Sequence, residues 1–378
     1  MPQDEKRFSL KDELFNKSKV VYLAGLLSNA DASFDKERFV KTTMKGFLPL
    51  ELKARIGKIT DALEECLDDD FRKASDHLIA SLPPPLDPKK SDDDFGDFIF
   101  APYGEFVVRR GLSRKHLKRS LKTLKEFTKR FSMEYAIRDF INEFPNEALS
   151  QLEKWAADSN YHVRRLVSEG TRPILPWSKR LTIDPLTPLP LLDVLHADRT
   201  RYVTRSVANH LNDVSKSDAP AVLARLKQWK KEARQEPAEL AWMARHAMRT
   251  LVKQGDQRAL KMLGFRDKPR ITVETFALRN AEVRPGEAIE FDLTISASRE
   301  ESLLVDYVVD FVKANGKLSP KVHKLKQLTI GAGETASLSK RHPLRANATT
   351  YKLYPGTHRV TLQINGSALD SRDFELVI

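Results

Sequence analysis

The segments HVRRLVSEG (162–170), YVTRSVANH (202–210) and WMARHAMRT (242–250) align with one another at intervals of 40 residues. Each copy has an arginine at its fourth position and a second polar residue four positions later. A period of this length is typical of HEAT-like repeats, in which helices stack into a curved solenoid with one concave surface. The three segments therefore predict an α-helical HEAT-like repeat solenoid.

The polar pairs of these repeats are the first candidates for a binding surface. Because each pair has i, i+4 spacing, both of its side chains are expected on one helix face. Stacked repeats would align the pairs as a stripe that suits a phosphate backbone; ordinary solvent-facing positions are the alternative. We favour the stripe because the three copies stay in register while the polar residues around them vary. The pairs are Arg165 with Glu169, Arg205 with Asn209, and Arg245 with Arg249.

Helical spacing of apolar residues extends to about residue 265. Ser9 and Asp12 belong to a stretch that looks like a capping box, which would begin a helix extending through Ala24. Between residues 113 and 131, an apolar face opposes a basic face, which is either a solvated surface or part of a DNA-binding track. A proline triplet and the aspartate triplet at 92–94 predict an exposed loop.

The pattern changes after Lys268, where runs such as ITVETFAL and IEFDLTIS alternate apolar and polar residues. Turn signals of the types Pro-Gly and Asn-Gly separate these runs, which predicts an antiparallel β-sandwich. We therefore predict a helical domain over residues 1–267 and an all-β domain over residues 268–378. Any DNA contact of the all-β domain would be local, through loops such as 340–348.

The charge of the chain is concentrated in its helical part. The 378 residues carry a formal net charge of +12, of which residues 268–378, with 16 Lys and Arg against 13 Asp and Glu, account for +3. A basic surface attracts polyanions through counterion release, which favours nucleic acid as the partner, although many soluble proteins are basic without binding it. Cys66 is the only cysteine, which excludes an internal disulfide and fits a reducing cytoplasm. No membrane span is predicted, because the longest apolar stretches fall short of the roughly 20 residues required. No signal peptide is predicted, because the first residues, MPQDEKRFSLKDELF, are charged and lack an apolar h-region.

Neither a metal nor a cofactor is predicted. The histidines form no HExxH motif, and a single cysteine leaves no zinc-deaminase motif. His196 and Asp198 match the H-x-D half of an iron site that uses 2-oxoglutarate. That site requires a β-barrel, whereas these residues lie between predicted helices, so we interpret the match as coincidence.

The longest recognisable motif overlaps the first repeat. HVRRLVSEGTRPILPW (162–177) closely resembles the hallmark of bacterial AlkC-type DNA alkylation repair proteins. MEYAIRDFI (133–141), SVANHLNDVSK (206–216) and RHAMRTLVKQGDQRALKMLGF (245–265) are similar to other segments of that family, as are LKDELFN and LYPGTHRV. The resemblance covers essentially the whole chain, and generic HEAT proteins share the fold but not the SEGTRP stretch.

This resemblance implies a HEAT-like solenoid followed by a C-terminal immunoglobulin-like domain, and the activity of a monofunctional DNA glycosylase in base excision repair. Such an enzyme would hydrolyse the N-glycosidic bond of cationic bases, chiefly 3-methyladenine and 3-methylcytosine, in duplex DNA without base flipping. It would act as a monomer in the bacterial cytoplasm, on the DNA of the nucleoid. The alternatives are a non-catalytic HEAT-like protein that binds branched or damaged DNA, and a protein–protein scaffold.

The chemistry of a cationic lesion indicates which residue types to look for. An alkylated cationic base leaves without a general acid, so the enzyme must stabilise the oxocarbenium-like sugar and position a water, and a carboxylate can do both. Glu169 is the first candidate because an acid among basic positions opposes phosphate affinity; an ion pair with Arg165 is the alternative. Trp177 follows Pro173 and Pro176, where it would form an aromatic platform against the sugar or pack between repeats.

Two further carboxylates are candidates for aligning the water or the base. Glu134 lies in a family-like segment, and a helix-surface acid is the alternative. Asp213 follows Asn209 by one helical turn, and the alternative there is an N-cap or a buried hydrogen bond. We expect the DNA phosphates to be held by basic and polar residues of the repeats, namely Arg164, Arg165, Arg205, Asn209, Arg245, His246 and Arg249.

Overall fold

The structure is a computed structural model that describes residues 9–90, 92, 95–346, 348 and 351–378. The predicted acidic loop and the predicted 340–348 loop therefore lie partly outside the described residues. The chain forms two compact units. The first comprises Met1–Asp218 and Ala224–Ala247, and the second Ala219–Leu223 and Met248–Ile378.

Helices make up the chain as far as Met262. Asn and Asp side chains cap several of them; Asn160, for example, accepts from the backbone N–H groups of His162 and Val163. The helices are α1 (Leu10–Leu14), α2 (Lys17–Ala30), α3 (Lys36–Met44), α4 (Leu52–Cys66), α5 (Phe71–Ala80), α6 (Ala101–Gly111), α7 (Leu117–Thr128), α8 (Ala136–Glu143), α9 (Pro145–Trp155), α10 (Tyr161–Gly170), α11 (Leu189–Leu195), α12 (Arg201–Val214), α13 (Ala219–Glu232), α14 (Pro237–Ala247), α15 (Arg249–Lys253) and α16 (Gln257–Met262), with a 3-10 turn at Phe98–Phe100.

The N-terminal helix predicted to extend through Ala24 is in fact two helices, so that prediction is wrong. Helix α1 ends at Leu14, and Asn16 then begins α2 by accepting a hydrogen bond from the backbone N–H of Lys19. A side-chain acceptor at Asn16 offers the backbone an alternative to a continuous helix, which explains the break.

The three aligned segments lie on α10, α12 and α14, which pack against each other in this order. Rings fill the first of these interfaces, where Tyr161 and Tyr202 meet edge to face with centroids 5.9 Å apart. The third segment departs from the predicted spacing, because α14 ends at Ala247 and Arg249 begins α15. Arg245 and Arg249 therefore do not share one helix face. The break occurs at Met248, which leaves helical backbone geometry at φ −92°, ψ 6°.

The strands of the second unit form two sheets. Their orders are β1-β3-β6 and β2-β8-β7-β4-β5, with antiparallel neighbours except for the parallel pair β2 and β8. The strands are β1 (Ile271–Leu278), β2 (Glu282–Val283), β3 (Ala288–Ala297), β4 (Glu301–Val312), β5 (Leu318–Ile330), β6 (Thr335–Pro343), β7 (Gly356–Ile364) and β8 (Ser367–Leu376).

One apolar core joins the two sheets. Phe291, Leu293 and Ile295 alternate along β3 and are fully buried, and Val305 and Val360 belong to the same buried cluster. This alternation is the period-two pattern that the sequence showed after Lys268.

The change from helices to strands falls between Met262 and Ile271. The compact second unit does not begin at this change, since it also includes the last two helices. The predicted domain boundary at 267/268 stays a prediction. Within the described ranges, no helix is both long and apolar enough to cross a membrane.

Candidate active site

Five ionisable side chains of alternating sign form a connected row in the first unit. Arg165 donates from Nη1 to Oε2 of Glu134 at 2.5 Å, and its Nη2 lies 3.5 Å from Oε2 of Glu169. Arg172 donates from Nη1 to Oε1 of Glu169 at 2.6 Å and from Nε to Oδ2 of Asp213 at 2.9 Å. The row links three carboxylates through two guanidinium groups.

Two neighbouring repeats and the loops at their ends supply this row. Helix α10 carries Arg165 and Glu169 one turn apart, and α12 carries Asp213 near its last residue. Glu134 precedes α8. Helix α10 comes close to α8 at Gly170, where a Cβ would lie 2.6 Å from Cγ2 of Ile137. Glycine therefore permits the helix approach that places the acids together.

Glu169 is buried, with 5% of its surface exposed, and its Oε2 also accepts a hydrogen bond of 2.6 Å from Oγ of Ser206. Burial alone would raise the pKa of Glu169, but the charges of Arg165 and Arg172 outweigh it and hold that pKa below its usual value. Burial alone would likewise lower the pKa of Arg165, but Glu134 and Glu169 raise it. Both groups are therefore ionised at neutral pH.

Trp177 lies in the connection that follows α10 and is 68% exposed. Its backbone is in the left-handed region, with φ 61°, which non-glycine residues rarely adopt because the Cβ meets the following carbonyl. The connection is anchored at this point, since Lys53 Nζ donates to the Trp177 carbonyl and the Tyr135 hydroxyl donates to the Pro176 carbonyl at 3.4 Å. An exposed, strained aromatic on an anchored loop favours a functional role.

Arg138 also anchors the connection that follows α10. Its Nη1 donates to the carbonyls of Gly170 and Arg172 at 3.0 and 2.7 Å, and its Nε donates to the carbonyl of Lys179 at 2.8 Å. Burial, followed by the charge of Arg172, lowers the pKa of Arg138 to about 10. This arginine therefore fixes the backbone on both sides of Trp177.

A cleft of about 230 Å³ reaches Asp213. Its other lining residues include Ile174, Arg180 and Lys216. Asp213 is only 3% exposed, so the cleft gives its carboxylate a route to solvent. Within the described part of the chain, no group of three or more His, Cys, Asp and Glu side chains is placed to hold a metal ion.

Comparison with known proteins identifies the family. A protein-family model described as the C-terminal Ig-like domain of the uncharacterised protein YhaZ matches residues 272–378. YhaZ of Bacillus subtilis is 32% identical over 368 residues, which cover 96% of this chain and 98% of YhaZ. The solved structure of the Pseudomonas fluorescens alkylpurine DNA glycosylase AlkC, bound to DNA containing an abasic site analog, is 34% identical. It superposes with a TM-score of 0.87 over 98% of this chain and 100% of that one.

The chain belongs to the AlkC family. Membership confirms the resemblance of the 162–177 motif and the fold class, which is HEAT-like helical repeats followed by an immunoglobulin-like β-sandwich. It also explains why the sequence resemblance extended over essentially the whole chain.

The structure brings together the three carboxylates that were candidates in the AlkC-type sequence. Glu169 does form the ion pair with Arg165 that was its alternative interpretation, but inside a larger buried row. Glu134 is likewise bonded within that row and is not a free surface acid. Asp213 forms buried hydrogen bonds, which was one of its two alternative interpretations. It lies near the last residue of α12, so it is not the N-cap of that helix. The exposure of Trp177 rules out packing between repeats.

Arg164 points into the protein. It donates from Nε and Nη2 to the Asp198 carboxylate at 2.5 and 3.1 Å, and from Nη1 to the carbonyls of Asp158 and Ser159. These bonds favour a structural role over the predicted phosphate contact, and we leave Arg164 out of the proposed interface. The ring of His196, the other residue of the H-x-D match, stacks on Trp229 at 4.5 Å.

The three equivalent arginines of the predicted stripe have different surroundings. Arg165 is buried beneath the Tyr202 ring, 4.8 Å from its centroid. Arg205 is half-buried and forms an ion pair with Asp92, whereas Arg245 is exposed. The stripe is therefore uniform in sequence but not in accessibility.

Two further residues of the predicted interface contact each other between repeats. The Nε2 atom of His246 lies 2.8 Å from Oδ1 of Asn209, and the His246 ring stacks on Trp242 at 5.0 Å. Both residues are half-buried, and Arg249 lies in the second unit.

The basic face of the 113–131 segment is paired with acids in part. Arg114 donates to Glu147 at 2.6 Å, Arg119 forms an ion pair with Asp76, and Lys125 lies 2.5 Å from Asp158. Lys115, Lys118 and Lys122 are exposed. Both interpretations of this face, a solvated surface and part of a DNA-binding track, stay predictions.

Sequence reasoning missed Arg172, Ser206 and Arg138, although all three lie in quoted segments. A signal for Arg172 was present, since it follows Glu169 at i, i+3, a spacing at which side chains meet on a helix. No comparable signal marked Ser206 or Arg138, whose partners are 32 or more residues away.

Proposed function

We propose that this protein is an alkyl-DNA glycosylase that hydrolyses the N-glycosidic bond of cationic alkylated bases in duplex DNA. The observation that carries the proposal is the row of three carboxylates held by two arginines, in a basic protein that exposes Trp177 five residues after Arg172. The AlkC relative, described as an alkylpurine DNA glycosylase and bound to DNA with an abasic site analog, supports this activity.

The reaction uses one water molecule. The water oxygen forms a bond to the anomeric carbon as the bond from that carbon to the base nitrogen breaks. The electron pair of the broken bond goes to the base, which leaves neutral because it was cationic, and a carboxylate accepts the proton of the water. The products are a free base and an abasic sugar. Because water is the nucleophile, the enzyme is monofunctional and leaves the DNA strand intact.

Glu169 has the properties that the transition state requires. It is ionised, buried and held by three donors, so it presents a fixed negative charge with little reorganisation. A charge about 5 Å from an oxocarbenium ion, at an effective dielectric constant of about 20, is worth about 3 kcal/mol, which corresponds to about 100-fold in rate. Asp213, which reaches solvent through the cleft, positions the water, and Glu134 aligns the base or the water through Arg165.

Trp177 completes the site as an aromatic platform for the sugar. A ring face attracts the developing positive charge by about 0.5–2 kcal/mol. We further propose 3-methyladenine and 3-methylcytosine as the substrates, both cationic, attacked while the damaged base stays in the stack. The enzyme would start base excision repair in the bacterial cytoplasm as a monomer.

Basic and polar residues of the repeats would hold the DNA backbone. Arg245 is exposed and free to approach a phosphate, and Arg205 would exchange its ion pair with Asp92 for one. Asn209 and His246 would extend the same surface, and Arg249, which lies in the second unit, would hold a phosphate by itself. Arg165 supports this surface from inside, through Glu134 and Glu169, without a phosphate contact of its own.

Base release from methylated duplex DNA, measured by chromatography of the freed bases, tests the proposal. We expect free 3-methyladenine or 3-methylcytosine from the wild type and about 100-fold slower release from Glu169→Gln, with DNA affinity unchanged. Glu153→Gln, at an exposed position of α9, is the matched control and should behave as the wild type.

Absence of any freed base, together with tight and salt-sensitive DNA binding, would overturn the proposal in favour of a non-catalytic DNA-binding protein. Equal loss of binding and release in Glu169→Gln would make Glu169 a structural residue instead.

A further inference from the structure

We propose that Arg172 is a positioning residue that holds the carboxylates of Glu169 and Asp213 at a fixed separation. The inference rests on the proposed glycosylase function and extends it to a residue of the 162–177 motif without an assigned role. One guanidinium group serves both acids, Nη1 at 2.6 Å from Glu169 and Nε at 2.9 Å from Asp213.

The geometry depends on the guanidinium fork. Glu169 belongs to α10 and Asp213 to α12, so Arg172 fixes the spacing of two repeats at the point where their acids meet. Its planar group presents several N–H donors at fixed angles, which a flexible lysine ammonium does not reproduce. Arg172 is itself held in place, since its carbonyl accepts from Arg138 at 2.7 Å and its side chain is only 11% exposed.

The charge of Arg172 matters as much as its shape. Glu169 and Asp213 share this one cation, and Asp213 has a second cation in Lys216, 3.2 Å away at the rim of the cleft. Without Arg172, Glu169 would retain Arg165 at 3.5 Å and the Ser206 hydroxyl as its direct partners, with Arg138 and His210 as further groups that interact with it electrostatically. Burial would then be opposed by one directly bound guanidinium instead of two, so Glu169 would bind a proton at a higher pH. A protonated Glu169 does not stabilise an oxocarbenium ion.

Two variants separate the charge of Arg172 from its shape. Arg172→Gln removes both, so we expect base release to fall at least tenfold and the acid limb of its pH–rate profile to move up by about one pH unit or more. Arg172→Lys keeps the positive charge, but a lysine ammonium can form a good hydrogen bond with only one of the two acids. Base release should therefore fall while the acid limb of the pH–rate profile stays near its wild-type position. DNA affinity should change little in either variant.

Arg109→Gln is the matched control. Arg109 also bridges several carboxylates, those of Asp61, Glu64 and Glu105, but it lies on α6, outside the row. The same chemical change there should leave the rate and the pH profile unaltered, which excludes a general effect of losing a multidentate arginine.

A second readout does not depend on catalysis. With glutamate side-chain carboxyls labelled with carbon-13 in the full chain, the Glu169 signal is assigned by its disappearance in Glu169→Gln. Its titration midpoint should be higher in Arg172→Gln than in the wild type and close to wild type in Arg172→Lys. This measurement decides the role of Arg172 even if the wild type releases no base, an outcome that would overturn the glycosylase proposal alone.

The proposal is overturned if Arg172→Gln slows release without moving either the acid limb or the Glu169 midpoint. Arg172 would then be a structural residue of the α10 end. Wild-type activity in Arg172→Gln would overturn it as well. If Arg172→Gln fails to fold, Arg172→Lys becomes the test, and its rate of base release must be lower than that of the wild type for the positioning role to hold.

Discussion

Replacement of Trp177 by glycine should separate activity from stability. A tryptophan in the left-handed region is strained, and glycine adopts that region without penalty. The side chain makes little contact with the protein, because 68% of its surface is exposed. The variant should therefore remain folded while losing the aromatic platform that the proposed mechanism requires.

The expected change in unfolding free energy is small because two contributions oppose each other. About a third of an indole that buries roughly 150–250 Å² in a core is buried here, which at about 25 cal/mol/Å² corresponds to a loss of about 1–2 kcal/mol. Relief of the left-handed backbone returns about 1–2 kcal/mol. Glycine costs about 0.5–1 kcal/mol through the freedom it gives the unfolded chain. The unfolding free energy should stay within about 1 kcal/mol of the wild type.

The assay combines urea unfolding with single-turnover base release. Loss of a cation–π contribution of about 0.5–2 kcal/mol corresponds to a two- to thirtyfold slower release. Trp155→Ala, which removes a buried tryptophan of α9 with 3% exposure, is the contrasting control and should cost about 3–5 kcal/mol of stability with the chemistry unchanged where folded. A large stability loss in Trp177→Gly, or release at the wild-type rate, would refute the reasoning.

Three further outcomes are expected. Arg245→Gln should weaken DNA binding and reduce the slope of log affinity against log salt concentration by about one unit, whereas Arg164→Gln should lower stability and leave that slope unchanged. Equal slopes in the wild type and both variants would contradict the phosphate contact of Arg245. Gly170→Ala should destabilise the chain by about 1–3 kcal/mol and slow base release, because the new methyl group would meet Ile137; unchanged urea midpoints would show that the helices yield. Burial, together with His323 and two lysines, lowers the pKa of His342 to about 4, below its unfolded value of about 6.5. The folded sandwich therefore disfavours the protonated ring, so its stability should fall as the pH decreases from about 6.5 towards 4. The Tm of His342→Gln should fall less than that of the wild type over this range, and parallel curves would contradict the prediction.

The sequence predicted features that depend on local periodicity. The i, i+4 spacing within the repeat placed Arg165 and Glu169 on one helix face, and the alternation of apolar and polar residues located the strands of the sandwich. The acids that meet in the site were also named in advance, because a cationic substrate requires carboxylates. These predictions need only the spacing of residues within a single element.

The rest depends on partners that spacing does not specify. Arg165 and Arg245 occupy equivalent repeat positions, yet the first is covered by the Tyr202 ring of the next repeat and bonded to Glu134, while the second is exposed. The fork of Arg172 also binds Asp213, 41 positions away along the chain, and this second partner is fixed only by how α10 packs on α12. The left-handed backbone of Trp177 is likewise set by contacts of the loop with Lys53 and Tyr135.

The charge of the row also bears on which bases the enzyme distinguishes. Burial of ions is costly, and apolar residues in their place are often as stable or more so, so five buried charges need a reason besides stability. Three carboxylates near bound phosphates oppose DNA affinity, which a chain of net charge +12 must offset elsewhere. Their negative charge becomes favourable only where positive charge is present or develops. A cationic base already weakens its own glycosidic bond, and the row stabilises the positive charge as it passes to the sugar. A neutral base would gain the same field but would still lack the protonation it needs to leave, because Glu169 is held ionised by Arg165 and Arg172 and has no proton to give. In the proposed mechanism, the arrangement that accelerates release of cationic lesions would thus also spare ordinary bases.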